Sequence, residues 1–221
     1  MAWLKGHWQM LALTALIFAL WQTPVALPLK LLVVLFHELA HGLAAVVTGG
    51  SIESLTVTPD QGGLAVTRGG SRFVILTAGY LGSLVIGLVV FAAALGSHAD
   101  RIVLALLGGV ILVVTALHIR EGFALLFCLA TAGLMLAGAW YLPRVAADLV
   151  LRVIGLASMI YVPYDIVSDT LLRAGMPSDA HMLAQEFGGA TVLWGGLWLI
   201  VSLAVIGFSL RVMARGESNL A

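Results

Sequence analysis

The sequence has 221 residues, of which 61% are hydrophobic and 10% are charged. Because a soluble domain carries about 25% charged residues, this composition excludes an ordinary water-soluble fold. The 11 basic and 11 acidic residues cancel, so no basic surface indicates a nucleic-acid partner, and the single cysteine, Cys128, excludes both an intramolecular disulfide and a cysteine-rich metal site.

Apolar stretches of about 20 residues, long enough to cross a bilayer as a helix, recur along the chain. They predict an all-α polytopic membrane protein with six to seven transmembrane helices, forming a single domain over residues 1–221. The count is six if the first stretch does not fully cross. Lysines and arginines fall on both sides of the seven alternating spans, so no orientation is predicted. The predicted spans are 8–27, 29–48, 71–95, 101–119, 122–142, 145–164 and 188–212.

The first departure from this pattern is an insert at residues 50–70. Leu55, Val57, Leu64 and Val66 alternate with polar residues on either side of a turn at 59–63, which predicts a β-hairpin. Two interpretations of its role remain open. The hairpin either connects two helices or offers an exposed strand edge on which an unwound substrate is aligned.

The second predicted span contains the sequence His37-Glu38-Leu39-Ala40-His41. Four residues advance a helix by roughly 400°, so both imidazoles project from one face about 6 Å apart, which suits two ligands of one tetrahedral zinc ion. Glu38 follows the first histidine and is placed to take a proton from a water molecule bound to the metal. The motif therefore predicts a zinc hydrolase site.

A purely structural role of the motif accounts less well for its three ionisable residues than a metal site does. Each ionisable residue inside a membrane costs about 2.5–3.5 kcal/mol, and three occur here within five positions. A bound divalent cation would compensate this cost. The alternative is a helix in which these groups only pair with other polar side chains.

A catalytic zinc ion usually has three protein ligands, so one more ligand must come from elsewhere in the chain. The helix predicted at 145–164 ends on the same side of the membrane as the hairpin, which places Asp165 and Asp169 near the motif and Asp148 about 25 Å away. Asp165 lies deeper and is the favoured ligand. Asp169 is the reserve candidate, or a hydrogen-bond partner of a histidine.

Both acids belong to a polar loop predicted at residues 165–187. Ser178 is placed to cap a short helix within this loop. No other histidine has a neighbour at a metal-binding spacing, so His98, His118 and His181 are not predicted as ligands. The charged and imidazole side chains of the loop are Asp165, Asp169, Arg173, Asp179, His181 and Glu186.

Several segments resemble the site-2 protease family of intramembrane zinc metalloproteases, in its compact branch without a PDZ domain. They are LFHELAHG at 35–42, TGG at 48–50 and AGYLG at 78–82, together with residues 165–170 and 178–180. The resemblance implies zinc bound by the two motif histidines and a later aspartate, with Glu38 as general base. It also implies cleavage of a membrane-embedded helix. The better-known members carry an Asn-Pro-x-x-x-Leu-Asp-Gly-like motif, whereas residues 162–166 here contain neither Asn nor Gly.

We therefore expect a multi-pass zinc metalloendopeptidase that acts on a transmembrane protein substrate in the lipid bilayer, with the bacterial plasma membrane as its location. One alternative is an inactive metal-binding pseudoprotease that binds or chaperones partner transmembrane helices. A zinc transporter is weaker, because the spans are almost devoid of other polar residues. Gly79, Ser83 and Gly87 form a face of small residues that we expect to pack against the motif helix.

Overall fold

The computed structural model describes residues 2–214, 216, 218 and 219. It is dominated by long helices, with one two-stranded antiparallel sheet. The elements are α1 (Ala2–Leu20), a 3-10 helix (Pro24–Ala26), α2 (Leu27–Val47), β1 (Ser51–Val57), β2 (Gly63–Arg68), α3 (Arg72–Gly96), α4 (Asp100–His118), α5 (Gly122–Tyr141), α6 (Arg144–Ile166), a π-helix (Val167–Leu172), α7 (Asp179–Phe187) and α8 (Thr191–Met213).

Six helical segments in the described part of the chain are long and apolar enough to cross a membrane. This confirms the predicted all-α polytopic class, and the protein is a multi-pass integral membrane protein. Helix α1 is not among the six segments. They are Pro24–Val47, Arg72–Gly96, Asp100–His118, Gly122–Tyr141, Arg144–Leu172 and Thr191–Met213.

Helix α1 ends at Leu20, seven residues before the predicted end of the first span, and a 3-10 helix begins at Pro24. Proline has no backbone N–H to donate and disfavours helical geometry in the residue before it, so it separates α1 from α2. Met10 Sδ lies 3.5 Å from Arg152 Nη1, and the Trp21 ring centroid lies 5.7 Å from that of Tyr161. Helix α1 therefore runs parallel to α6.

Helices α2 and α6 both run antiparallel to α3. On α6, Gly155 faces Phe91 of α3 and Ser158 faces Gly87 of α3, so these two helices run in opposite directions. On α2, His41 contacts Ile75 in the first turn of α3, close to the end of α2. Helices α1 and α2 thus point the same way, and α1 is not among the six segments that are long and apolar enough to cross a membrane.

The small-residue face of α3 contacts two helices. Gly79 lies against His37 and His41 of α2, as predicted, whereas Gly87 lies against Ser158 of α6. The expectation that the whole face packs on the motif helix therefore holds only near the start of α3. The small side chains let α3 approach both neighbours closely, which is the usual way that membrane helices associate.

The predicted hairpin is present. Strands β1 and β2 pair with Leu55 opposite Ala65 and Val57 opposite Gly63, and a bulge lies between Ile52 and Ser54. Leu55 and Val57 are each 1% exposed and anchor the hairpin beside α2. Within the described residues the sheet has only two strands, so no further strand of this part of the chain pairs with the second edge of β2.

The end of α6 differs from the prediction. The helix does not stop at residue 164 but continues through Pro163 to Ile166 and then as a π-helix to Leu172. Asp165 and Asp169 consequently lie on a helix, and the predicted polar loop is helical at both ends. Ser178 caps α7 as expected, since its side chain accepts a hydrogen bond from the backbone N–H of His181.

Candidate metal centre

The two motif histidines lie together in the middle of α2. Their ring centroids are 4.7 Å apart, and the ring planes meet at 79°. The side chain of His37 is 16% exposed and that of His41 is 8% exposed. The i,i+4 spacing thus places two imidazole nitrogens next to each other away from bulk water.

A backbone contact orients His41. Its Nδ1 lies 2.7 Å from the carbonyl oxygen of Ile75, and a carbonyl only accepts hydrogen bonds, so Nδ1 carries the proton. In the neutral ring this leaves a lone pair on Nε2. A histidine that ligates a metal is usually held by a hydrogen bond of this kind from its other ring nitrogen.

The carboxylate next to these nitrogens belongs to Asp179, the first residue of α7. Its Oδ2 lies 3.0 Å from His37 Nε2 and 3.2 Å from His41 Nε2. This oxygen is buried, and it and the two Nε2 atoms all lie within 4.8 Å of one another. Two imidazole nitrogens and one carboxylate oxygen are a donor set that fits zinc.

The electrostatics agree with this geometry. Burial alone would raise the pKa of Asp179, but the positive charge of protonated His41 and His37 outweighs it and holds the pKa well below its usual range. Asp179 also begins a helix, where the backbone dipole favours a negative charge. The residue is therefore anionic. His37, His41 and Asp179 are the one metal-ligand cluster found among the described residues.

The two acids favoured from the sequence lie in the same cavity but outside this cluster. Asp169 accepts a hydrogen bond from the Tyr80 hydroxyl at 3.2 Å and pairs with Arg173. Asp165 interacts with the hydroxyl of Tyr161. Asp148, which the sequence analysis excluded as a metal ligand, forms a bidentate ion pair with Arg152 at 2.6 and 2.8 Å.

Glu38 lies beside the cluster, and the residue is 6% exposed. Strand β2 covers it: the backbone amide of Ala65 interacts with the carboxylate, and a Cβ at Gly63 would overlap the same carboxylate. Only glycine therefore lets β2 approach the carboxylate so closely. The hairpin holds Glu38 against the metal-ligand cluster.

The cluster and Glu38 open into a cavity of about 900 Å³. One wall is formed by residues 60–65 of the hairpin, and the opposite wall by the end of α6 and the start of α7. The wall from the hairpin includes Gly63, Leu64 and Ala65 of β2. A volume of this size accommodates an extended peptide segment.

Gly79 of α3 lies against the two motif histidines. The sequence predicted only that this glycine allows helices to pack closely. A Cβ at this position would lie 2.5 Å from His37 Nε2 and 2.6 Å from His41 Cε1. We expect Gly79→Ala to displace the imidazoles and weaken zinc binding by about tenfold or more, the effect of overpacking by one carbon. Zinc titration of the purified protein measures this.

The matched control is Gly133→Ala on α5, where a Cβ would meet no atom within 4 Å. It should bind zinc like the unmodified protein. Equal zinc affinity in the two variants would show that Gly79 does not position the histidines.

Sequence reasoning placed Asp179 in the polar loop without assigning it a role. The available signal was Ser178, whose predicted helix cap puts Asp179 in the first helical turn. The sequence did not reveal that this turn lies over α2. Only the path of residues 173–178 after the π-helix brings it there.

Fold and site together define a polytopic membrane protein in which two histidines of an HExxH sequence and an aspartate form a buried candidate metal site. Residues 10–209 match the family described as Peptidase M50B-like, and the chain belongs to this family. No curated protein and no solved structure matches the sequence. The family is one of zinc metallopeptidase-like membrane proteins, which agrees with the resemblance seen in the sequence.

Proposed function

We propose that the protein is a zinc-dependent intramembrane endopeptidase that hydrolyses peptide bonds of transmembrane protein substrates. The observation that carries the proposal is the convergence of His37, His41 and Asp179 on one point beside Glu38. Family membership supports it independently. The proposed location is the bacterial plasma membrane, which rests on family likeness and on the compact chain.

In this proposal, His37, His41 and Asp179 are the three protein ligands. Asp179 replaces Asp165 as the preferred third ligand because its carboxylate lies within 3.2 Å of both imidazoles. Zinc bound there would supply a Lewis acid that polarises the substrate carbonyl and lowers the pKa of water. The three side chains line the cavity, so a substrate bound in the cavity would lie beside them.

Glu38 acts as general base in the proposed reaction. Its carboxylate takes a proton from the attacking water and then delivers it to the leaving amine. The cover provided by β2 restricts access of bulk water to the carboxylate, which strengthens the electrostatic interactions in the site. His41 keeps its orientation throughout because the carbonyl oxygen of Ile75 accepts a hydrogen bond from its Nδ1–H group.

Substrate alignment is assigned to the free edge of β2. An exposed strand edge binds an extended peptide by adding it as a further strand, and residues 63–65 of β2 line the cavity that contains the proposed metal ligands. A helical peptide bond has its carbonyl engaged in the helix, so a substrate must unwind before it can pair with β2.

The test is cleavage of a model transmembrane substrate by the protein reconstituted in liposomes. A substrate with Gly or Pro near the scissile bond should be cleaved about tenfold faster than one with Leu there, because these residues destabilise a helix by about 1 and 3 kcal/mol. Chelation of zinc should abolish cleavage, and added zinc should restore it.

Two results would oppose the proposal. Cleavage that is insensitive to Leu at these positions would contradict substrate unwinding. Cleavage that persists in the zinc-free protein would contradict the metallopeptidase mechanism as a whole.

A further inference from the structure

A second cavity lies far from the metal centre, at the opposite end of the helices. It is a groove of about 490 Å³ between α1, the start of α2 and helices α4, α5 and α6. Its lining side chains are apolar apart from Thr131. Because α4, α5 and α6 cross the membrane, the groove is open to lipid and suits a hydrocarbon chain.

One end of the groove carries basic side chains. Leu104 and Leu142 line the groove. Arg101 lies one turn before Leu104 and donates hydrogen bonds to the carbonyl oxygens of Ala139 and Trp140, at the end of α5. The end of the groove at Leu104 and Leu142 is its mouth, and these contacts hold the guanidinium beside the neighbouring end of α5.

Arg144 lies at the same mouth and pairs with Asp100 at 3.2 Å, with His98 beside it. Asp100 is only 1% exposed, whereas the side chain of Arg144 is 44% exposed. Both arginines are exposed, while the acid that pairs with Arg144 is buried. The two guanidinium groups therefore give this end of the molecule an excess of exposed positive charge.

The adjacent aromatic residues mark this end as a membrane boundary. Trp140 is 75% exposed and Tyr141 is 81% exposed. Such side chains favour the zone of lipid headgroups. The mouth of the groove thus lies at headgroup depth, and the apolar part extends into the hydrocarbon region.

We propose that this groove is a binding site for an anionic phospholipid, with an acyl chain between α1 and α5 and the phosphate at Arg101 and Arg144. Basic pockets between membrane helices bind anionic lipid headgroups in this way. The site is independent of the metal centre and of the proposed peptidase activity.

Native mass spectrometry of the purified full-length protein tests the site. The probes are phosphatidylglycerol and phosphatidylcholine with identical chains. We expect phosphatidylglycerol to be retained at about tenfold lower concentration, and Arg101→Gln to reduce this preference by about fivefold, the contribution of one basic residue at a membrane surface.

The matched control is Arg120→Gln at the end of α4 away from the groove, where the guanidinium also donates to backbone carbonyls. It should leave the preference unchanged. Since Arg144→Gln alone would leave Asp100 buried without its partner, the second variant is the pair Asp100→Asn and Arg144→Gln. We expect this pair also to lose the preference.

Three outcomes would overturn the proposal. These are equal retention of the two lipids, equal effects of Arg101→Gln and Arg120→Gln, or occupation of the groove by a second copy of the chain. Phosphatidylglycerol with six-carbon chains and soluble glycerol phosphate test the acyl contribution. If either displaces the long-chain lipid at equal concentration, the groove does not bind the chain.

Discussion

Glu38→Gln is expected to lower the rate of peptide cleavage by about 10²–10⁴-fold, the usual contribution of a general base. Glutamine has nearly the same shape but does not accept the proton of the attacking water. Zinc content should remain that of the unmodified protein, because Glu38 does not belong to the ligand cluster. Cleavage rate and zinc content measured on the same preparation check both statements.

The matched control is Glu53→Gln on β1. Glu53 pairs with Arg68 at the surface of the hairpin, 2.6 Å away, and its side chain is 40% exposed. An exposed pair of this kind contributes little to stability, so activity should be retained. Identical product formation by Glu38→Gln and the unmodified protein would instead favour a metal-binding pseudoprotease. The products would then not depend on the proposed general base, Glu38.

Asp179→Asn is expected to weaken zinc affinity by at least about a hundredfold. Losing only a hydrogen-bond partner of a ligand costs 10–100-fold, and the loss of a charged ligand should cost more. His37→Ala should behave similarly, because its Nε2 lies 3.0 Å from the Asp179 carboxylate. The measurement is zinc content after dialysis against a competing chelator.

Asp165→Asn and Asp169→Asn are the controls for this experiment. Both residues line the cavity, so the variants remove a nearby negative charge without removing a member of the cluster. They should retain zinc close to the level of the unmodified protein. If Asp165→Asn loses zinc while Asp179→Asn keeps it, the third ligand is Asp165, as the sequence favoured, and Asp179 acts otherwise.

Some features of this protein follow from short-range patterns. Hydropathy predicts the membrane spans because the bilayer sets the length of an apolar helix. The alternation of Leu55 and Val57 with polar residues predicts the hairpin because side chains alternate between the two faces of a strand. The spacing of His37 and His41 brings the imidazoles together because one helical turn is sufficient to do so.

Other features depend on where distant segments meet. The sequence left open whether the first apolar stretch crosses the membrane, and only contacts with α6 show that α1 runs parallel to α2. The extension of α6 past Pro163 was equally hidden, since proline usually ends a helix. This extension moves Asp165 and Asp169 onto a helix.

By itself, therefore, the sequence determined the membrane class, the hairpin, and the pair of histidines with its adjacent glutamate. Each of these is encoded within a few neighbouring residues or by the thickness of the bilayer. Tertiary structure decided which carboxylate faces the histidines. Asp179 lies far from α2 along the chain, and its position depends on the π-helix, the turn at 173–178 and the cap at Ser178, a combination that no local periodicity describes.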